Sequence, residues 1–382
     1  MRDVSIIGVG MSRFGKQPEA SLDDIAHPAI LEAMRDAGVA PRDIEAAYCG
    51  SVFARGNPCQ RILKGLGVFG VPMLNVDNAC SSGSSALRDA YIAIGAGLCD
   101  VALAFGVDKL TALGGGALPV LDGDVEGSQG VIMPAIYAMR ARRHMEEFGT
   151  TRRQLAQIAV KNHRNSAHNP KAQYRDLYTL DQVLNSRPVA DPLTLLQCCP
   201  TGDGAAAAVL VASECAGRFE SGAPIRIRAS ALRSGEFTDK FRDMTKSHLT
   251  IDTARIAYEA AGLGPEDVDL LEVHDAFTIG ELMYYEALGL VAHGEGGRVV
   301  DEGLAEIGGR FPVNPSGGLL SKGHPVGATG VAQIYEVVNQ LRGRCGPRQV
   351  ENARIGLTHC TGGGAAGFDH VACTIHILER PA

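Results

Sequence analysis

The chain carries one plan twice, and that repeat constrains its fold more than any other feature. In residues 30–53 a helical segment stops at Gly38, Pro41 with Asp43 and Glu45 opens a short turn, and an apolar run follows from residue 46. In residues 254–277 the helix stops at Gly262, Pro265 with Glu266, Asp267 and Asp269 opens the turn, and Leu270-Leu271-Glu272-Val273 is the apolar run. Glycine suits the left-handed residue that ends a helix, and proline suits the first position of the next turn. Each half then continues into a helix of small residues (84–96 and 330–341) and an apolar strand (101–106 and 355–360). Agreement over successive elements points to a tandem duplication within an α/β fold.

Small residues throughout 81–97 predict a helix packed closely on both sides, a central helix between sheets. The interval 111–192 breaks the repeat and carries a charged, helical pattern, as in residues 144–155, so it is read as an inserted loop domain over the active site. The resulting division assigns 1–110 and 193–245 to the first half, 111–192 to the insert and 246–382 to the second half. The glycine-rich 113–118 lacks both a G-K-[ST] ending and a G-x-G-x-x-G frame, which excludes a phosphate loop.

A chain of 382 residues, 45% hydrophobic and 21% charged, is long enough to bury a core divided between two lobes. Its net charge of −7 argues against a nucleic-acid surface. No apolar run approaches the roughly 20 residues of a membrane span, and the opening Met1-Arg2-Asp3-Val4-Ser5-Ile6-Ile7 reads as a strand rather than a cleavable signal. A cytoplasmic protein is expected. Its 10 cysteines, scattered without a C-x-x-C pair, should be reduced, and no metal site is expected.

Two cysteines stand apart from the rest. Cys80, in Asn78-Ala79-Cys80-Ser81-Ser82-Gly83, and Cys360, in Thr358-His359-Cys360-Thr361-Gly362-Gly363-Gly364, each lie where an apolar run gives way to small residues. Such a strand end or helix start offers backbone N–H groups to a developing negative charge. Between them come His274-Asp275-Ala276-Phe277 and Gly323-His324-Pro325. A constellation of two cysteines and two histidines in turns suggests acyl transfer.

These four segments, with Val326-Gly327-Ala328-Thr329-Gly330 after Pro325, resemble the motifs of thiolases nearly end to end. The likeness is greatest to the sterol-carrier/lipid-transfer type, because His274-Asp275 stands where many thiolases have Asn-Glu. The resemblance implies two βαβαβαββ halves in five α-β-α-β-α layers with an inserted loop domain. It also implies a homodimer paired through the strand before Cys80. Cys80 would be the nucleophile, with His324 as the imidazole that stabilises its thiolate. Cys360 would move a proton on or off the substrate α-carbon, and His274 would help stabilise the enolate. Asp275 either orients a neighbour or caps a following helix over 277–287. His359 should face the core, opposite Cys360. Gly362, Gly363 and Gly364 would let the backbone approach the thioester, with one glycine N–H completing an oxyanion hole alongside that of Cys80.

The implied reaction is cleavage of a 3-oxoacyl-CoA, or its reverse, on a bulky, aromatic or fatty acyl group, with coenzyme A as co-substrate and no bound cofactor. Arg140, Arg142, Arg143, Lys161 and Arg164 are candidates for its phosphates. The segment 110–136, with Gly114-Gly115-Gly116, is read as room for a wide acyl group or as a flexible lid. A small partner with an OB-fold and a zinc ribbon is a further expectation for this branch. The alternatives are a decarboxylating ketosynthase, a retro-aldol lyase of an acyl-CoA side chain, and a non-catalytic scaffold or lipid-binding subunit. The complete Cys-His-His-Cys set favours thiolase over each.

Overall fold

The computed structural model describes residues 1–114, 116, 118–120, 124–239, 241–363 and 369–381. The first half runs β1 (Val4–Met11), α1 (Leu22–Ala37), β2 (Ala46–Gly50), α2 (Pro58–Lys64), β3 (Met73–Val76), α3 (Ser82–Gly95) and β4 (Val101–Lys109). Next come α4 (Val125–Ser128), α5 (Met133–Phe148), α6 (Arg152–Ala167), α7 (Leu180–Leu184), the small ribbon of β5 (Pro188–Ala190) and β6 (Leu193–Thr194), and β7 (Asp203–Ala212). The second half runs β8 (Ile225–Arg233), α8 (His248–Ala261), β9 (Leu270–Glu272), α9 (Thr278–Ala287), α10 (Gly296–Asp301), α11 (Gly318–Lys322), α12 (Thr329–Leu341), β10 (Ile355–Gly362) and β11 (Ala372–Glu379).

The strands lie in the order β3-β2-β4-β7-β1-β8-β11-β10-β9. Where β1 meets β8 the ladder is short, Ser5 with Arg226 and Ile6 with Ile225, and this narrow junction joins the two sheet layers into one nine-stranded row. Each sheet has the same plan: a parallel pair (β2–β4, β9–β10) extended by two antiparallel strands (β7 and β1, β11 and β8). β3 pairs along β2 from Met73 to Val76, whereas its counterpart is the single parallel bridge from Leu271 to Val313. Local signals behave as the repeat requires, with α1 and α8 ending on left-handed Gly38 and Gly262 (φ 66° and 65°). A 3-10 turn starting at Pro41 or Pro265 follows each helix. β2 ends at Gly50 and β9 at Glu272, so the chain after each leaves the sheet as a loop instead of running on as strand.

The cores show the five layers. Along β7 the odd residues from Ala205 to Val211 pack with α1, and the even ones from Ala206 to Ala212 pack with α3 and α12. On the far side, Leu357, Ile375 and Ile377 pack with Ala254, Ala257 and Ala261 of α8. Helices α3 and α12 therefore lie between the two sheets. Glycine makes this approach possible: a Cβ on Gly83 would stand 2.3 Å from Gly327 O, and one on Gly330 would stand 2.5 Å from Ser84 Cβ. The segment between β4 and β7 packs on the other half, with Tyr137, Ala138 and Ala141 of α5 and Leu155 and Ile158 of α6 against Ile279, Leu282 and Met283 of α9. β8 pairs with β11 from Arg226 to Arg233, so a division drawn on strand pairing starts the second half at β8, ahead of residue 246.

Candidate active site

Four loops converge at the N-terminal ends of the central helices. Cys80 stands on a sharp turn ahead of α3, and the turn is strained: Ala79 is left-handed (φ 50°), which costs a residue with a Cβ about 1–2 kcal/mol. Asp77 Oδ1 accepts from Ala79 N–H at 3.0 Å, and Ala79 O accepts from Ser82 N–H at 3.0 Å. These bonds hold the conformation, and Cys80 stays half-buried at the helix start.

His324 arrives from the second half. Asp275 accepts from the N–H of Leu319 at 2.6 Å and from that of Leu320 at 3.4 Å, so it caps α11, which leads into Gly323-His324. Of the two roles expected for Asp275, orientation of a neighbour holds, while helix α9 begins at Phe277 without a side-chain cap. Glu272 pairs with Lys322 at 3.1 Å on the same segment. The tautomer of His324 follows from its neighbour. Thr329 Oγ1 donates its proton to Pro325 O (2.9 Å), so it accepts from His324 Nδ1–H (2.7 Å). The lone pair is thereby left on Nε2.

Strand register accounts for the other two residues. β9 and β10 are parallel with Glu272 opposite Thr358, so two residues further on His274 meets Cys360, and His274 Nδ1 lies 3.4 Å from Cys360 Sγ. The rings of His274 and His324 are edge to face with centroids 5.0 Å apart. One donor atom from each of Cys80, His274 and His324 falls within 4.8 Å of the other two. Cys360 Sγ also reaches Cys80 O at 3.1 Å, and Ser81 Oγ donates to Cys360 O at 2.7 Å. His359 points the other way, its Nε2 3.0 Å from Thr250 Oγ1 of α8.

Gly362 and Gly363 run against the Cys80 turn. A Cβ on Gly362 would stand 2.1 Å from Asn78 O. One on Gly363 would stand 3.5 Å from Ala79 Cβ, and the nearby backbone N–H groups of Gly363 and of Cys80 itself favour the Cys80 thiolate. Gly364 and Gly115 lie outside the described residues.

Burial decides the charge state. It pushes the Cys80 thiol up to about 11, more than the two N–H groups recover. Stabilisation of the thiolate, expected from His324 and the helix start, thus works against burial at this sulfur. Burial also raises Cys360, with the Cys80 charge adding to it, and lowers His324 to about 3. His274 is held well below its ordinary value by burial and then by His324. Burial thus disfavours the charged form of all four groups, two thiols and two imidazoles, and leaves a free lone pair on His324 Nε2. Such a set can deprotonate one sulfur through an imidazole and hold a second proton on the other sulfur for a carbanion.

The proposed phosphate ligands need correction. Arg140 is 2% exposed, paired with Asp369 and donating to Lys246 O. Lys161 is 4% exposed, 2.8 Å from Glu281 Oε1 and 2.6 Å from Val313 O. Both are committed to internal partners. Arg143 is exposed and pairs with Glu147 at 2.9 Å one turn along α5, Arg142 pairs with Asp191, and Arg164 pairs with Glu306. None of the five adjoins the quartet through a contact. A surface cleft of about 720 Å³ between α8 and the 262–267 turn is likewise lined by none of the four. Sequence reasoning missed Thr329, Ser81, Tyr137 and His370. Thr329 has a signal in retrospect, standing five residues after His324 within one motif, while the others are brought in by the fold.

Comparison with known proteins identifies the family. Residues 4–214 match the thiolase N-terminal domain and residues 231–375 the thiolase C-terminal-like domain. The chain is 44% identical to an acetyl-CoA acetyltransferase of Methanothermobacter thermautotrophicus, covering 100% of both. It is 42% identical to the benzoylsuccinyl-CoA thiolase subunit BbsB of Thauera aromatica over 98% of each, and 38% identical to human sterol carrier protein 2 over 73% of that protein. Among solved structures it superposes on an Ltp2-ChsH2(DUF35) aldolase with TM-score 0.86 at 27% identity, covering 99% of this chain and 98% of that one. Human mitochondrial 3-ketoacyl-CoA thiolase gives 0.77 at 18% identity, with 100% and 99% covered.

Proposed function

The chain belongs to the thiolase family and is a thiolase-type acyltransferase, and we propose that it works through an acyl-Cys80 intermediate, with His324, Cys360 and His274 as the other reacting groups. The observation that carries this reading is the convergence of Cys80, His274 and His324 within 4.8 Å, with Cys360 3.4 Å from His274. In the cleavage direction Cys80 gives its proton to His324 Nε2 as the sulfur attacks the 3-oxo carbon of a 3-oxoacyl-CoA. The Cα–Cβ bond breaks, and the enolate of the departing acyl-CoA takes the Cys360 proton. The thiol of coenzyme A then gives its proton to the Cys360 thiolate and attacks the acyl group, and Cys80 leaves with the proton from His324. Both thiols are restored. The N–H groups of Cys80 and Gly363 would receive the oxyanion on the acyl carbon, and His274 would receive the enolate oxygen.

The named relatives act on acetyl-CoA and benzoylsuccinyl-CoA, which supports a short or an aromatic acyl group and coenzyme A as co-substrate without a bound cofactor. Thiolysis of a panel of short, long-chain and aromatic 3-oxoacyl-CoAs, with Cys80→Ala as control, tests both the reaction and the acyl group. Retro-aldol cleavage is the second reading, favoured by the aldolase neighbour. Product analysis with a tertiary 3-hydroxyacyl-CoA separates the two, since a lyase needs no Cys80.

That neighbour, an Ltp2-ChsH2(DUF35) aldolase, has a second component, which supports a small partner subunit, expected to carry an OB-fold and a zinc ribbon. Co-expression and co-purification test it. A homodimer through β3 is supported by the position of that strand at the sheet edge and by exposed Leu74 and Phe69 beside it. Sedimentation of Leu74→Lys tests it. No described helix is long and apolar enough to cross a membrane. Catalysis by two free thiols supports a reducing compartment, hence the cytoplasm, which fractionation tests.

A further inference from the structure

Two residues of α5 hold Asp369 and His370, which lead into the strand that pairs with the one carrying Gly362. The β10–β11 hairpin leaves the sheet at Gly362 and returns at Ala372, and Val371 N–H closes it on Gly362 O (3.1 Å) and Gly363 O (2.8 Å). Immediately before Val371 stand Asp369 and His370. His370 Nε2 lies 3.0 Å from the Tyr137 hydroxyl, and Asp369 pairs with the Arg140 guanidinium. Three residues apart on α5, Tyr137 and Arg140 share one face of the helix. Each is fixed from a second side as well: the Tyr137 ring stacks on Phe277 with centroids 4.5 Å apart, and Arg140 donates to Lys246 O at 3.3 Å.

Joining a helix to a hairpin does not require polar groups this deep. Apolar side chains of similar volume would hold the two together as well, because burying an ion pair carries a desolvation cost that its attraction barely repays. What hydrogen-bonded partners add is a fixed orientation. The hairpin so oriented is the one whose Gly362 and Gly363 backbone abuts Asn78 and Ala79, the two residues before Cys80, and whose Gly363 N–H favours the Cys80 thiolate. We propose that Tyr137 and Arg140 are positioning residues for the thiolase reaction, setting the hairpin through His370 and Asp369 so that the Gly363 N–H stays aimed at the reacting sulfur and the oxyanion that forms beside it. This deepens the acyl-Cys80 reading and takes its kinetic readout from it.

The test uses Tyr137→Phe, which keeps the stacked ring and removes the hydroxyl, and Asp369→Asn, which keeps the shape and removes the charge. Each should lower kcat about tenfold, the worth of one well-placed hydrogen bond, with KM for the acyl-CoA within about twofold. The Gly363 N–H favours the thiolate, so the pH profile for alkylation of Cys80 by iodoacetamide should also move upward in both. Arg140→Lys, which keeps the charge, should recover most of the rate lost in Arg140→Met. Folded variants with wild-type kcat and an unchanged alkylation profile overturn the proposal, as does a loss confined to KM. If Asp369→Asn does not fold, Tyr137→Phe decides alone. A wild-type protein that cleaves no 3-oxoacyl-CoA refutes the functional reading instead, and the alkylation profiles still decide the positioning role.

Discussion

The N-terminal ends of α3 and α12 are the same place in two copies of one fold, and they have come to do different things. Ahead of α3 the chain makes one strained turn, with Ala79 left-handed, and presents a sulfur. Ahead of α12 it makes a longer passage through α11, Gly323 and a 3-10 turn, pinned by Asp275, Glu272 and Thr329, and presents an imidazole. The first is held by bonds within its own turn and by Cys360 of the other half, and the second by Glu272, 50 residues back, and by Asp108 of the first half, which accepts from Gly327 N–H at 2.7 Å. Duplication supplied two facing helix ends, and divergence at the strand-to-helix loops supplied unlike reactants. Because both helices lie in the middle layer, glycine packing between Gly83 and Gly327 brings the two ends within reach.

The contrast is broken most severely at the sulfur. Cys80→Ala should lower thiolysis by at least ~10³-fold with little change in melting temperature. Cys49→Ala, a fully buried cysteine on β2 of the same half, should keep activity and lose about 1 kcal/mol of stability by denaturant titration. At the other helix end, His324→Ala removes the base and should cost about 10²–10⁴-fold in kcat, while Thr329→Val, which only frees the tautomer, should cost about tenfold. Wild-type kcat in Thr329→Val would show that the imidazole is not set by Thr329.

Between the two ends, Gly83→Ala places a methyl against Gly327 O and should destabilise by about 1–3 kcal/mol while lowering activity. The equivalent change at Gly343, whose Cβ meets nothing within 4 Å, should leave activity intact. Its left-handed backbone (φ 69°) limits the effect to about 1–2 kcal/mol of stability.

Proton linkage gives a subtler difference. His324, His359 and His370 are lowered to about 3 and His163 and His376 to about 4, all by burial. Below their ordinary value of about 6.5 the unfolded chain binds protons that the folded one does not, so stability is fully present above that pH and falls as pH drops toward 4. Replacing His376, whose two nitrogens have no partner, by Phe should reduce the slope by up to ~1.4 kcal/mol per pH unit. The smallest effect belongs to the surface: Arg143→Ala should change stability by about 0.5 kcal/mol or less and leave KM for coenzyme A unchanged.

What could be read from the sequence was whatever has a local cause. Gly38 and Gly262 end their helices because a left-handed residue is needed at that point, and Pro41 and Pro265 open the next turn for an equally local reason. Cys80 and His324 could be singled out because each sits among small residues or in a rigid turn that packing alone does not call for, whereas the meeting of His274 with Cys360 depends on the register of two parallel strands. Arg140 and Lys161 were misread as phosphate ligands because their partners, Asp369 and Glu281, are more than a hundred residues away. Asp275 caps a helix 44 residues downstream instead of the one beside it, for the same reason. The helix start that favours a thiolate is a local feature, whereas the burial that raises Cys80 is a property of the assembled layers.

The central claim is that the sulfur ahead of α3, and no other, carries the acyl group. Rapid quenching of the protein with a 3-oxoacyl-CoA in the absence of free coenzyme A, followed by peptide mass spectrometry, measures it directly. The account predicts one acyl adduct, on Cys80, retained in Cys360→Ala when acyl-CoA is the donor and lost in Cys80→Ala. An adduct on Cys360 or Cys199, or turnover with no adduct on Cys80, would contradict it.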